Sequence, residues 1–89
     1  MDFKALEEFL SVSNIITNQV FDTLLEFMNY NSNGMKVSVT KLLGIVRDRI
    51  ENNETIILER TNETLTLVTF DKIVEEYFGE IISDRVKED

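Results

Sequence analysis

The sequence predicts a small α+β domain in which helices cover a small antiparallel sheet, and three observations predict it. Apolar residues recur at helical spacing near both ends of the chain. Between residues 55 and 69, two β-branched runs flank a short polar link. A Val-Ser-Val alternation at residues 37–39 adds a further short strand. Eighty-nine residues allow one domain, expected to span 1–89. It divides into a helical N-terminal segment over 1–30 and a β-α-β-β-α module over 36–84.

Residues 3–29 read as helix. Leu6, Phe9 and Leu10 share one face, and Ile16, Val20, Leu24 and Phe27 follow at the same spacing. Asp2 is placed to cap the start. Ser11, Val12, Ser13 and Asn14 form a run of poor helix formers and good caps, so the segment is one weakened helix or two helices over about 3–11 and 14–29. Residues 29–34, Asn-Tyr-Asn-Ser-Asn-Gly, read as a loop. A strand over 35–39 follows, with Val37 and Val39 on one face. Ser38 or Thr40 then caps a helix over about 40–52, which buries Leu43, Val46 and Ile50 and ends at Asn52 and Asn53.

Residues 55–60 and 64–69 have strand composition, and Asn62 suits a left-handed turn. A two-residue turn at Asn62-Glu63 puts Leu58 opposite Leu67 and gathers Ile56, Leu58, Leu65 and Leu67 on one face. Thr69 or Asp71 starts the last helix. Its apolar residues come in pairs every four positions, Ile73/Val74, Tyr77/Phe78 and Ile81/Ile82, with Gly79 a mild interruption.

Composition narrows the chemistry. The chain has no Cys and no His, which removes disulfides, thiolate and imidazole catalysis and most zinc or copper sites. The candidate carboxylate pair, Asp48 with Glu51, sits on a helix among Arg47 and Arg49 and reads as a solvated face, and no glycine-rich phosphate loop is present, so the chain reads as a non-enzyme without cofactor or metal. The N-terminal MDFKALEEF lacks the basic region that opens a signal peptide, and no run of eighteen apolar residues occurs. The expected location is the cytoplasm, with no membrane association.

Net charge is −8 and uneven: −4 over residues 1–35, +1 over 36–60 and −5 over 61–89. An acidic surface repels phosphate backbones, so any nucleic-acid contact falls to the middle third. Lys36, Lys41, Arg47, Arg49 and Arg60 are the basic cluster there, and charge balancing against Asp48, Glu51 and Glu59 is the simpler account of it. The triplet Asn-Glu-Thr occurs at Asn53 and again at Asn62. It matches a glycosylation acceptor, but polar punctuation before a strand accounts for both copies. Residues 29–34 have the spacing of a calcium loop, yet Asn stands where Asp is needed and Thr40 where the bidentate Glu belongs, so they read as an ordinary turn.

Lys36-Val37-Ser38-Val39-Thr40-Lys41-Leu42, then a helix, the hairpin and the helix opening Val68-Thr69-Phe70-Asp71-Lys72 together resemble the Phd/YefM antitoxin family. The resemblance spans residues 36–78. It implies a dimer that binds operator DNA through Lys36, Ser38, Thr40 and Lys41, with the hairpin building the dimer, and a toxin as protein partner.

Two functions follow. The first, which uses the whole chain, is a small acidic protein-binding module (an inhibitor, adaptor or regulatory subunit) that forms a homodimer. Its partner-binding face is Glu75, Glu76, Glu80 and Asp84 on the last helix, or Glu7, Glu8, Asp22 and Glu26 near the start. The second is the Phd/YefM-like DNA-binding antitoxin or transcriptional regulator.

Overall fold

In a computed structural model, backbone is described for residues 2–29 and 33–88, and side chains for 2–28 and 34–79. The architecture is α+β. The chain runs α1 (Phe3–Val12), β1 (Ile15–Ile16), α2 (Asn18–Asn29), α3 (Asn33–Glu51), β2 (Ile57–Leu58), β3 (Glu63–Thr64) and α4 (Leu67–Glu88). The longest uninterrupted helix, α3, is the centre, and α1, α2 and α4 all pack against it.

The N-terminal segment is two helices. Asp2 caps α1 as its position suggests, its Oδ1 accepting from the Ala5 amide at 2.8 Å. Leu6 and Leu10, one turn apart, are wholly buried on α3. Each contributes about 1.5–3 kcal/mol of apolar burial. The Ser-Val-Ser-Asn run ends α1, with Ser13 as its C-cap, and β1 follows directly after it. Asn14 O accepts from Ile57 N at 2.8 Å, and Ile16 O accepts from Glu59 N at 3.0 Å, so β1 lies parallel to β2. Thr17 caps α2, accepting from the Val20 amide at 3.2 Å.

The expected strand over 35–39 is instead part of α3. Val39, Leu42, Leu43 and Val46 fall at i, i+3, i+4 and i+7 and are all buried, whereas Val37 is 51% exposed. A strand would have put Val37 and Val39 on the same face. Neither Ser38 nor Thr40 is a cap. The Thr40 hydroxyl donates to the carbonyl of Lys36, one turn back, at 2.9 Å.

The sheet is mixed rather than antiparallel, in the order β1-β2-β3. Only β2 and β3 are antiparallel, in the register Ile57↔Thr64 and Leu58↔Glu63. The expected pairing of Leu58 with Leu67 does not form, because the second strand stops at Thr64 and a helix claims Leu67. Thr66 caps that helix, its hydroxyl accepting from the Thr69 amide at 3.2 Å, so neither Thr69 nor Asp71 is the start. Ile56, Leu58 and Leu65 are nevertheless buried together under the helices.

Both Asn-Glu-Thr triplets mark turns. Asn53 (φ 66°) and Asn62 (φ 57°) are left-handed. At the first, Asn53 N donates to Ile50 O and Glu54 N to Arg49 O, the paired bonds of a Schellman helix end with Asn in place of Gly. At the second, Asn62 N donates to Leu58 O and closes the hairpin.

Helix α4 is broken at Gly79, whose backbone (φ 83°, ψ 170°) is not helical. Before the break, Phe70, Val74 and Phe78 face the core.

Candidate functional site

Arg49 governs the end of the molecule where α1, β1 and α3 meet. The residue is only 8% exposed, and its guanidinium makes four hydrogen bonds and an ion pair. Nε and Nη2 lie 2.9 Å from Glu54 Oε1, Nη2 also donates to Asn14 Oδ1 at 2.8 Å, and Nη1 donates to the carbonyls of Leu10 and Ser13. One side chain thus satisfies carbonyls left over at the end of α1 and fixes the loop that becomes β1.

The other cations of the middle third are also engaged. Arg47 pairs with Asp71 on α4 at 2.5 Å, and its Nε lies 3.2 Å from Glu51, off the line of a hydrogen bond. Arg60 reaches Asp22 at 3.0 Å and stacks over the Phe21 ring with its guanidinium carbon 4.7 Å from the centroid. Lys41 Nζ lies 3.9 Å from Glu7. Of the five-residue basic cluster, only Lys36 is exposed without an ion pair among the described residues.

The four residues of the DNA-contact expectation lie on α3, where 100° per residue sets their directions. Lys36 and Thr40 stand one turn apart, while Ser38 projects from nearly the opposite side. A strand would have aligned Lys36, Ser38 and Thr40; the helix separates them.

On the acidic side, Glu8 (α1), Glu26 (α2), Asp48 (α3), Glu63 (β3) and Glu76 (α4) are exposed and form no ion pair among the described residues. Glu75 is exposed beside Glu76 on α4. Glu80 and Asp84, the rest of the expected acidic face, have side chains outside those described, and the loop at residues 30–32 is likewise outside the described residues.

Between the hairpin and α4 lies a groove that the sequence did not suggest. Phe21, Leu58 and Ile73 floor it, Arg60 and Tyr77 wall it, and Glu63, Lys72 and Glu76 stand on its rim. The rings of Phe21 and Tyr77 meet edge-on with centroids 5.2 Å apart, and Tyr77 is 43% exposed. The Arg60–Phe21 stacking in this wall joins residues 39 apart in sequence, so no local pattern announces it. Among the described residues no group of three or more acidic side chains is placed to hold a metal ion, and no described helix is long and apolar enough to cross a membrane.

Comparison with protein-family models, with curated proteins and with solved structures finds no match to this chain.

Proposed function

We propose that this chain is a small cytoplasmic protein-binding module without chemistry of its own, an inhibitor, adaptor or regulatory subunit acting as a homodimer on a partner with a basic surface. The observation that carries the reading is the distribution of charge. The fold turns most of its middle-third cations inward or against its own carboxylates, and leaves acidic side chains facing solvent on every helix. Such a surface attracts basic proteins electrostatically and repels nucleic acid. Glu75, Glu76, Glu80 and Asp84 are the acidic face we assign to the partner.

The test is recovery of the chain from its source cells under increasing salt, beside a variant carrying Glu76→Lys, Glu80→Lys and Asp84→Lys. The expected result is a stoichiometric basic partner that salt releases and the variant does not retain. A partner held equally by the variant, or no stoichiometric partner, removes the reading.

The alternative is a Phd/YefM-like dimeric DNA-binding antitoxin or regulator. Lys36, exposed and without an ion pair among the described residues, favours it. Lys41, Ser38 and Thr40 would have to contribute from other directions on the same helix.

A further inference from the structure

We propose that Gly79 is a two-state joint: α4 exists broken at this residue, and as one uninterrupted helix when a cationic partner neutralises its acidic face. The backbone at Gly79 (φ 83°, ψ 170°) lies in a region that essentially only glycine occupies. The sequence pattern, by contrast, ignores the break. Apolar pairs at 73/74, 77/78 and 81/82 keep a four-residue period across position 79, as a continuous helix requires and a broken one does not. A Cβ at Gly79 would meet no heavy atom within 4 Å among its described surroundings, so the positive φ rather than crowding is what suits the position to glycine.

What opposes the straight form is also written in the sequence. An uninterrupted helix brings Glu76 and Glu80 to i, i+4 across the joint, where like charges repel, whereas Glu80 and Asp84 share one helical segment in either state. Glycine itself disfavours the helical interior. A cationic surface laid along that row removes the repulsion and is bound more tightly by the straight form, which is the differential affinity a population shift needs. The half of the molecule before the joint stays anchored, because Phe78 is buried, its ring centroid 6.0 Å from that of Phe21.

The chain has no cysteine, so spin labels can be placed at Lys72→Cys and Lys87→Cys without background. Fifteen residues of continuous helix span about 22 Å between Cα atoms. Labels at Lys36→Cys and Glu51→Cys, also fifteen residues apart and inside α3, provide the ruler. The expected result is a 72/87 distance distribution that differs from the ruler in the unmodified chain. Gly79→Ala, which disfavours the broken backbone and favours the helix, should raise the ruler-like population by at least about thirtyfold relative to the broken one. Saturating oligolysine should move the unmodified chain the same way. A Gly79→Ala distribution identical to that of the unmodified chain overturns the joint. The oligolysine arm rests on the basic-partner reading, so its failure with a successful Gly79→Ala shift overturns the coupling and that reading while the joint stands. Circular dichroism of each labelled chain establishes that it is folded.

Discussion

Arg49 Nη1 donates to the main-chain carbonyl of Leu10 at 2.9 Å, joining residues 39 apart in sequence inside a buried pocket. Truncating Arg49 leaves that carbonyl, the Ser13 carbonyl and the Glu54 carboxylate without their donor. Arg49→Ala should therefore destabilise the fold by about 2–4 kcal/mol, chiefly through the two carbonyls left without a donor, since Glu54 is 45% exposed and remains solvated. Arg49→Lys keeps the charge but not the fork of five donors, and should recover less than half of the loss. Urea unfolding followed by circular dichroism measures both, and a loss below about 1 kcal/mol for Arg49→Ala would contradict the assigned role.

Val37 and Val39 separate a helix from a strand experimentally. Val39 is wholly buried and Val37 is half exposed. Val39→Ala should cost about 2 kcal/mol through lost packing. Val37→Ala should be neutral or stabilise by up to about 0.5 kcal/mol, since Ala is the better helix former. Equal losses at the two positions would restore the strand reading of residues 35–39.

The two left-handed asparagines have a signature of their own. Asn53→Ala and Asn62→Ala should each cost about 1 kcal/mol, because a Cβ without a compensating side-chain hydrogen bond is disfavoured at positive φ. Asn53→Gly and Asn62→Gly should leave the midpoint of thermal unfolding within about 3 °C of the unmodified chain. Loss on both kinds of substitution would point to a role for the amide groups beyond backbone shape.

Nucleic-acid binding should be weak and indifferent to sequence. With most middle-third cations paired internally, fluorescence anisotropy at physiological salt should give a Kd no tighter than about 10 μM for any duplex, the non-specific range. Nanomolar binding to one sequence would instead establish the regulator.

Light scattering should return about twice the 10.4 kDa chain mass if the homodimer forms. A constant monomer mass up to high concentration withdraws that part of the proposal without touching the partner surface.

The elements with strong periodicity were readable in advance, and those decided by distant neighbours were not. Asp2 as a cap, the weak point at the end of α1 and the left-handed Asn62 all depend on residues within a few positions, whereas the sequence leaves open whether one helix or two follow from that weak point. Val37 and Val39 misled because a β-branched alternation of three residues also fits a helix that buries every third or fourth position. The strands are two residues each, too short for any period to register, and Ile15–Ile16 becomes a strand only because Ile57–Leu58 lies beside it. In sequence Arg49 is one cation of a basic cluster balanced by Asp48, Glu51 and Glu59. Its burial follows from the carbonyls of α1, which no local pattern reveals. Arg60 was assigned to a basic cluster for the same reason, its stacking on Phe21 being a tertiary event.

The outward side of β1 is closed by its own chain. Asn14 and Ile16 turn their carbonyls toward β2, which leaves the N–H and C=O of Ile15 facing away. The Ser13 hydroxyl takes both, accepting from Ile15 N at 3.1 Å and donating to Ile15 O at 2.8 Å. A foreign strand arriving at this border finds no unclaimed main-chain groups, so the sheet cannot be extended there into a ribbon running through many molecules. One oxygen atom thereby shields this border, and Ser13→Ala should leave both groups of Ile15 open to a foreign strand.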